Sequence, residues 1–322
     1  MLKLRTILCC LVVAIGVTTT SYAEGPGILL LAHGGSAEWN AQVTKLAAQV
    51  DRTQPTEIAF GMATRANIQA AVDRLRARGV AEIIAVPLFV SSWSSVITST
   101  EYLLGQRADA PPELAIYAKM NHSAHAGTSG SGARSDGHEP HRTHGAPAPD
   151  PQSPVYSHIP IRMTPALNDH PIVADILTSR ARSVSRNPAE EAVVIVAHGP
   201  NGEDENRRWL ADMASLAERV RSGERFASID YLTLRDDAPK QVRDGATAQL
   251  REVVTKRLAE GRRVLVVPLL VSFGGIERGL RERLDGLIYT MPGAALVPDD
   301  RLVAWVLAMA ESAEPVPAKD RR

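Results

Sequence analysis

Two histidines stand directly after long apolar segments, and each of them is followed by glycine. The first segment ends in Leu-Leu-Leu-Ala-His33-Gly and the second in Val-Ile-Val-Ala-His198-Gly. Imidazole accepts a proton near neutral pH and binds divalent metals, so both residues are candidates for catalysis and for metal binding. Such a segment is typical of a buried parallel strand whose carboxyl end carries a ligand-binding loop. The alternative is a histidine that only bonds the backbone at the end of its strand.

A second group of histidines lies between residue 121 and about residue 157, in a segment with almost no large apolar side chain. Its candidate metal ligands are His122, His125, His138, His141 and His144. A segment rich in Gly, Ser and Pro cannot bury enough surface to order itself, so we expect a flexible insertion. Its histidines could hold Ni²⁺, Cu²⁺, Co²⁺ or Zn²⁺ as a loose, exchangeable store, and the alternative is a hydrophilic linker.

The first residues have the order of a secretory leader. Lys3 and Arg5 precede an apolar run from Ile7 to Val17, and small residues follow up to Ala23. The run is shorter than the roughly 20 residues that span a bilayer, which favours a cleaved signal peptide over a membrane anchor. We therefore predict export to the periplasm, cleavage near Ala23 and no stable membrane span afterwards.

Composition limits the classes of protein that the mature chain can represent. Both cysteines, Cys9 and Cys10, lie in the predicted leader, so the mature chain has no thiol ligand and no disulfide. Removing residues 1–23 from the 322 leaves 299, enough for two domains. The leader holds two of the 36 basic residues and none of the 36 acidic ones, so the mature formal charge is −2 with neutral histidines. Nothing in this balance indicates a nucleic-acid partner or a membrane surface.

Apolar periodicity predicts the same order of elements in both halves of the chain. The first half has predicted strands at 27–32, 57–60 and 82–90, a candidate fourth strand at 114–120, and helices at 37–50, 66–78 and 171–182. The second half has predicted strands at 193–197, 228–234, 263–271 and 287–291, and helices at 206–220, 241–259 and 300–310. Strands separated by helices form parallel sheets covered on both faces. The sequence therefore predicts an α/β protein.

The repeated order indicates a duplicated domain, because only two copies exist. We predict an N-terminal domain at 24–188, a C-terminal domain at 189–312 and a disordered tail at 313–322. Each domain is expected to hold a four-stranded parallel sheet flanked by helices. The cleft between two such domains is the expected ligand site, and duplication within one chain favours a monomer.

Several characteristic segments are spread in order over nearly the whole mature chain. They are the strand-ending LAHGG and VAHGP, the blocks AVPLFVSS and VVPLLVSFGG, and TPALNDHPIVADIL at residues 164–177. Together they resemble the class II tetrapyrrole chelatases, the sirohydrochlorin cobaltochelatases and ferrochelatases of CbiX type. The resemblance implies the chelatase fold and the insertion of a divalent metal, Co²⁺, Fe²⁺ or Ni²⁺, into sirohydrochlorin. It implies no organic cofactor.

The resemblance also assigns positions to the site. His33 and His198 match the family's first histidine, which binds metal or accepts a pyrrole proton. The family's second histidine falls on Ser95 and Ile276, and its carboxylate after the second strand falls near Met62 and Thr233. Glu277, beside the second of these histidine positions, is a further candidate metal ligand. The alternative for Glu277 is a solvated charge in an Arg-rich helix.

The turns after the third strand of each half carry the candidate ligand-binding residues. These are Ser91, Ser92, Trp93, Gly274 and Gly275. Serine hydroxyls could hydrogen-bond a carboxylated macrocycle while the indole stacks on it, and the alternative for the first turn is a lid.

Two functions are therefore expected from the sequence. The first is an exported sirohydrochlorin chelatase-like protein that inserts a divalent metal into a tetrapyrrole, with His33 and His198 in the site. The alternative is a non-catalytic exported protein that binds metal or tetrapyrrole and has kept the fold without the second histidine.

Overall fold

A computed structural model describes residues 25–119 and 149–313 of the chain. Its first half contains β1 (Pro26–Ala32), α1 (Ala37–Val50), β2 (Thr56–Phe60), α2 (Arg65–Ala77), β3 (Glu82–Leu88), α3 (Ser95–Leu103), β4 (Ile161–Met163) and α4 (Pro171–Arg182). Its second half contains β5 (Glu191–Ala197), α5 (Glu203–Gly223), β6 (Ser228–Thr233), α6 (Lys240–Ala259), β7 (Arg263–Leu269), α7 (Ile276–Arg283) and α8 (Arg301–Ser312). No helix in the described ranges is long and apolar enough to cross a membrane.

Each half is built on a parallel sheet with its first strand in the middle. The first sheet has the order β2-β1-β3-β4, and the second has the order β6-β5-β7. The central strands β1 and β5 are buried along almost their whole length, because helices cover both faces. The α/β architecture predicted from the sequence is confirmed, and the repeated order places the two strand-ending histidines at equivalent points.

The second sheet has three strands in the structure, so the fourth strand predicted at 287–291 is wrong. This segment contributes only an isolated parallel bridge between Leu265 and Thr290. Ile288 is 82% exposed, so the segment lacks the burial that a parallel strand normally has. Pro292 follows at once and has no N–H to donate, which prevents the pairing from extending.

The candidate strand at 114–120 is also wrong. Residues 114–119 are helical, and the short strand β4 pairs with β3 as the fourth strand of the first sheet. The buried residues Leu114 and Ala118 lie four positions apart, a spacing that places both on one helical face.

Part of the predicted insertion belongs to the folded structure. Residues 149–157 lie against α2, where Arg65 Nε donates to the carbonyl of Ser153 at 2.9 Å and Gln69 Nε2 donates to that of Tyr156 at 2.9 Å. These side chains satisfy backbone groups that the sequence leaves without an obvious partner. The five candidate histidines of the insertion, the predicted leader and residues 314–322 lie outside the described ranges.

The closing helix of each half packs on the other half. Helix α4 contacts α5 and β7, whereas α8 contacts α1 and β3. One apolar core therefore contains residues of both sheets, with Ile176 from α4 and Trp305 from α8 fully buried in it. This exchange joins the halves by apolar burial, at about 25 cal/mol per Å² of apolar surface. The boundary between two domains at residue 188 remains a prediction, because the shared core does not show whether each half folds on its own.

Candidate functional site

The loops after β1 and β5 each contain a glycine in the same left-handed conformation. Gly34 and Gly199, which follow the two histidines, both have a φ of 78°. This left-handed region favours glycine because a side chain would crowd its own backbone. A Cβ atom at position 199 would also lie 2.5 Å from Cβ of Thr233 at the end of β6. The glycine is therefore required for the loop that holds His198.

His198 lies beside two carboxylates. Its Nε2 atom is 3.4 Å from Oδ2 of Asp237 and 3.9 Å from Oδ2 of Asp236, and its side chain is 27% exposed. Asp236 also forms an ion pair with Arg283 of α7. Imidazole nitrogen and carboxylate oxygen are both ligands for divalent metals, and imidazole is a common acid–base group in catalysis.

Sequence reasoning missed Asp236 and Asp237, because it placed the expected carboxylate at Thr233. The chain turns back just after β6 through Arg235, a non-glycine residue with a φ of 56°. The buried guanidinium of Arg235 donates to the carbonyls of Pro200 at 2.6 Å and Asn201 at 2.7 Å. It thereby fixes the loop of His198 against the two carboxylates. The available signal was the run Arg-Asp-Asp soon after an apolar strand.

His33 has a different environment from His198. Its side chain is exposed, and its Nδ1 atom lies 2.7 Å from the carbonyl oxygen of Gly34. Within residues 25–119 and 149–313 no carboxylate lies within ion-pair distance of this ring. This geometry favours the alternative stated for His33, a histidine that bonds the backbone at the end of its strand, over a role in catalysis or metal binding.

Glu277 caps the helix on which it lies. Its Oε2 atom accepts hydrogen bonds from the N–H groups of Gly274 and Gly275, both at 2.9 Å. Burial would raise the pKa of Glu277, but these bonds outweigh burial and hold the pKa below its usual value. The carboxylate is therefore engaged at the start of α7, next to a cavity of about 310 Å³ that Gly274 and Gly275 line.

The turn after β3 borders a separate and larger cavity, of about 750 Å³. Ser91 is buried, and its Oγ accepts a bond from the N–H of Trp93 at 3.1 Å. Ser92 donates its backbone N–H to Oδ1 of Asn168 at 2.7 Å. Ser92 and Trp93 line the cavity together with Glu205 of α5. Of the predicted ligand-binding residues, Ser92 and Trp93 line this cavity, Gly274 and Gly275 line the smaller one, and Ser91 lines neither. Neither His33 nor His198 lines either cavity.

Ser95 stands where the resemblance implies a second histidine. Its Oγ lies 2.6 Å from the hydroxyl of Tyr117. Burial raises the pKa of Tyr117, the bond with Ser95 opposes the rise, and the charges of Glu113, Glu205 and Asp237 add to it. Tyr117 therefore remains protonated, and it lies within electrostatic range of two carboxylates from the other half.

The described residues contain no group of three or more His, Cys, Asp or Glu side chains arranged to hold a metal ion. The predicted metal ligands His33, His198 and Glu277 are thus not brought together into one cluster. A metal at His198 would take its protein ligands from this imidazole and the neighbouring carboxylates.

The side chain of Asp212 in α5 carries a carboxyl group that is partly buried near residues of the first half. Its Oδ2 atom is buried with no hydrogen-bond partner among the described residues. Burial raises its pKa to about 6, the charge of Asp169 adds to the rise, and a bond with Trp93 opposes it. The folded protein therefore favours the protonated form of Asp212 more than the unfolded chain does.

We expect Asp212→Asn to raise the free energy of unfolding at pH 7.5 by about 1 kcal/mol, after discounting the pKa shift for partial exposure. The carboxyl stabilises the fold relative to neutral pH as the pH falls from about 6 toward 3.8, because protons bind the folded state first. The variant should lack this part of the pH dependence. Urea unfolding at pH 7.5 and pH 4.5 measures both effects.

Asp204→Asn, an exposed change on the same helix, is the control. An unchanged difference in stability between pH 7.5 and pH 4.5 in Asp212→Asn would contradict the assignment.

Comparison with known proteins agrees with this architecture. Residues 27–124 match the CbiX family model. No curated protein sequence gives a match. The sirohydrochlorin chelatase SirB from Bacillus subtilis subspecies spizizenii, in complex with cobalt, is 12% identical with a TM-score of 0.51, over 89% of this chain and 94% of that one. SirB from Bacillus subtilis with Fe³⁺ is 14% identical with a TM-score of 0.53 over the same shares.

A third similar structure belongs to a protein that is longer than this chain. DR2241 from Deinococcus radiodurans, a multi-domain protein with structural similarity to chelatases, is 17% identical with a TM-score of 0.50. The match covers 89% of this chain and 55% of that one. At these identities the structural likenesses establish the fold. The protein therefore has the fold seen in the sirohydrochlorin chelatases, and its residues 27–124 are similar to the CbiX family.

Proposed function

We propose that the protein is a chelatase that inserts a divalent metal, Co²⁺, Fe²⁺ or Ni²⁺, into a tetrapyrrole, with His198 as the central residue of its site. The observation that carries the proposal is the 3.4 Å approach of His198 Nε2 to Asp237 Oδ2 at the carboxyl end of β5. Ligand sites in parallel α/β sheets form at this end of the strands.

The chemistry requires two operations that this pair can perform. The macrocycle must lose two N–H protons, and a neutral imidazole near pH 7 can accept a proton. Asp237 stabilises the imidazolium that results. The metal, which is a substrate, must also exchange water for protein ligands, and imidazole and carboxylate are both suitable donors.

The first half has a pair of hydroxyl groups at the position where the resemblance implies a second imidazole. The hydroxyl groups of Ser95 and Tyr117 lie 2.6 Å apart, and burial raises the pKa of Tyr117, with a contribution from the negative charge of Asp237. Protonated hydroxyls can hydrogen-bond a carboxylate or a metal-bound water. We propose that this pair occupies the place of a second imidazole, and that it orients the substrate without accepting a proton.

The second candidate function is a non-catalytic protein that binds metal or tetrapyrrole. Two observations favour it. Ser95 and Ile276 replace the second histidine in the first and second half, and His33 is exposed and bonds the carbonyl of the neighbouring Gly34. We propose export to the periplasm for either function, because the argument rests on the leader sequence alone. The role of the His-rich insertion as a metal store stays a prediction.

A spectral assay separates the two functions. Mature protein is mixed with sirohydrochlorin and Co²⁺, Ni²⁺ or Fe²⁺ without oxygen, and the absorption change is followed against a control without protein. A chelatase should accelerate metal insertion at least about tenfold over the control, since positioned acid–base groups alone contribute about 100-fold or more. Rates equal to the control for all three metals would exclude the enzyme. A spectral shift on mixing without faster insertion would support the binding protein.

A further inference from the structure

The loop that carries Trp93 is held from both halves of the protein. Ser92 of this loop bonds Asn168 in the first half, as described above. From the second half, Trp209 Nε1 donates to the backbone carbonyl of Trp93 at 2.7 Å. Trp93 is therefore fixed at the wall of the 750 Å³ cavity, with 37% of its surface exposed.

Arg208 lies over the ring of Trp93. Its Cζ atom is 4.5 Å from the centroid of the indole, a distance at which the cation and the ring attract each other. Arg208 also lines the same cavity. The aromatic surface restricts the guanidinium, so less freedom is lost when its N–H groups bind a ligand.

The guanidinium of Arg208 has no protein carboxylate as a partner in the described part of the chain. Asp204, one turn earlier on α5, forms its ion pair with Arg207 and not with Arg208. An arginine whose N–H groups are available beside an aromatic ring is suited to a carboxylate, which it can bind through two parallel hydrogen bonds.

The remaining charges of the cavity favour a single orientation of an anionic ligand. Glu101, Asp204 and Glu205 line it, and Arg208 is the only cationic residue among its lining side chains. These carboxylates repel an anionic group, and Arg208 is the cation among the lining residues that can attract one. A ligand with a planar body and carboxylate arms would therefore place one arm at Arg208 and its ring near Trp93.

We infer that Arg208 is a carboxylate anchor in the 750 Å³ cavity, where it would bind one carboxylate arm of the macrocycle. This inference rests on the proposed function for the class of ligand. It adds the residue that selects for carboxylate groups. It also predicts that one arm of the macrocycle binds at Arg208 in the 750 Å³ cavity.

Uroporphyrin, a metal-free porphyrin with carboxylate arms, is the probe. Its binding to the mature protein is followed by the shift of its main absorption band at fixed pH and salt. We expect Arg208→Gln to raise the Kd about tenfold or more, because a charge-assisted pair is lost. Arg208→Lys should recover part of the affinity, since lysine keeps the charge without the planar fork. Arg207→Gln, an exposed neighbour outside the cavity, should stay within about twofold of the parent by the same reasoning.

A porphyrin whose arms carry only cationic groups tests the charge directly. Its affinity should not fall in Arg208→Gln, because no carboxylate is present to lose its partner. Three results would each overturn the inference: no binding of uroporphyrin by the parent, equal affinity in Arg208→Gln, or an equal loss in Arg207→Gln. None of these measurements involves metal insertion. If uroporphyrin binds through Arg208 while the spectral assay shows no insertion, the chelatase proposal fails and the anchor stands.

Discussion

Replacing His198 with alanine is expected to lower the rate of metal insertion about 100-fold or more, the usual effect of losing a positioned acid–base group. His198 is the only one of the two strand-ending histidines with a carboxylate within 4 Å in the described structure. The spectral assay measures the effect as kcat and KM for the macrocycle. Loss in kcat at similar KM would indicate a role in proton transfer rather than in binding of the ring.

His33→Ala is the matched control for His198→Ala, because it removes the same side chain from the equivalent loop. We expect a smaller loss in this variant, since His33 is exposed and bonds its own loop. Asp237→Asn should give an intermediate loss, because the imidazole remains but its charged form is no longer stabilised. Equal rates in His198→Ala and the parent, or a larger loss in His33→Ala, would exclude His198 as the central residue.

Continuous apolar runs are the reason that so much of the fold was predictable. Strands β1, β3, β5 and β7 are buried on both faces, and their sequences are largely apolar and rich in Ile, Leu and Val. Helix α4 was predicted with its observed bounds because Pro171 starts it and its apolar residues keep a helical spacing. The loops of His33 and His198 followed from the strands, because the histidine and glycine stand immediately after them.

Contacts between the halves could not be predicted in the same way. Periodicity shows that α4 and α8 each have an apolar face, but it does not show which sheet that face covers. In the structure, each helix packs on the half of the chain to which it does not belong. The sequence predicts only a Ser-rich turn at residues 91–95 and does not indicate helix α3, because the helix is rich in hydroxyl and β-branched residues with weak helix propensity. Burial of Ile97 and Leu103, together with the cap at Ser94, stabilises it in the fold.

The site shows the same limit. His198 was predictable from its strand, whereas Asp237 reaches it only through the reversal of the chain at Arg235. The hydroxyl pair of Ser95 and Tyr117 joins residues on two helical segments, and the sequence pattern predicts a strand for the second of them. A site assembled from several loops depends on tertiary contacts, which the spacing along one chain does not record.

Gly199→Ala is expected to destabilise the protein by about 3 kcal/mol. Left-handed backbone conformation costs a side chain about 1–2 kcal/mol, and overpacking typically adds about 1–3 kcal/mol. The new Cβ would lie 2.5 Å from Cβ of Thr233. Thr233 cannot move away freely, because its hydroxyl donates to Oδ1 of Asn206 at 2.7 Å in a buried position.

The equivalent loop supplies the control for this prediction. Gly34 has the same φ of 78°, but a Cβ there would meet its nearest neighbour, Cβ of Phe60, at an ordinary 3.4 Å. Gly34→Ala should therefore cost only the backbone term, about 1–2 kcal/mol. Gly245→Ala, in the interior of α6 with open space around it, should stabilise the protein by about 0.5–1 kcal/mol. Urea unfolding of the three variants gives these values, and equal losses at Gly34 and Gly199 would show that contact with Thr233 does not constrain the loop of His198.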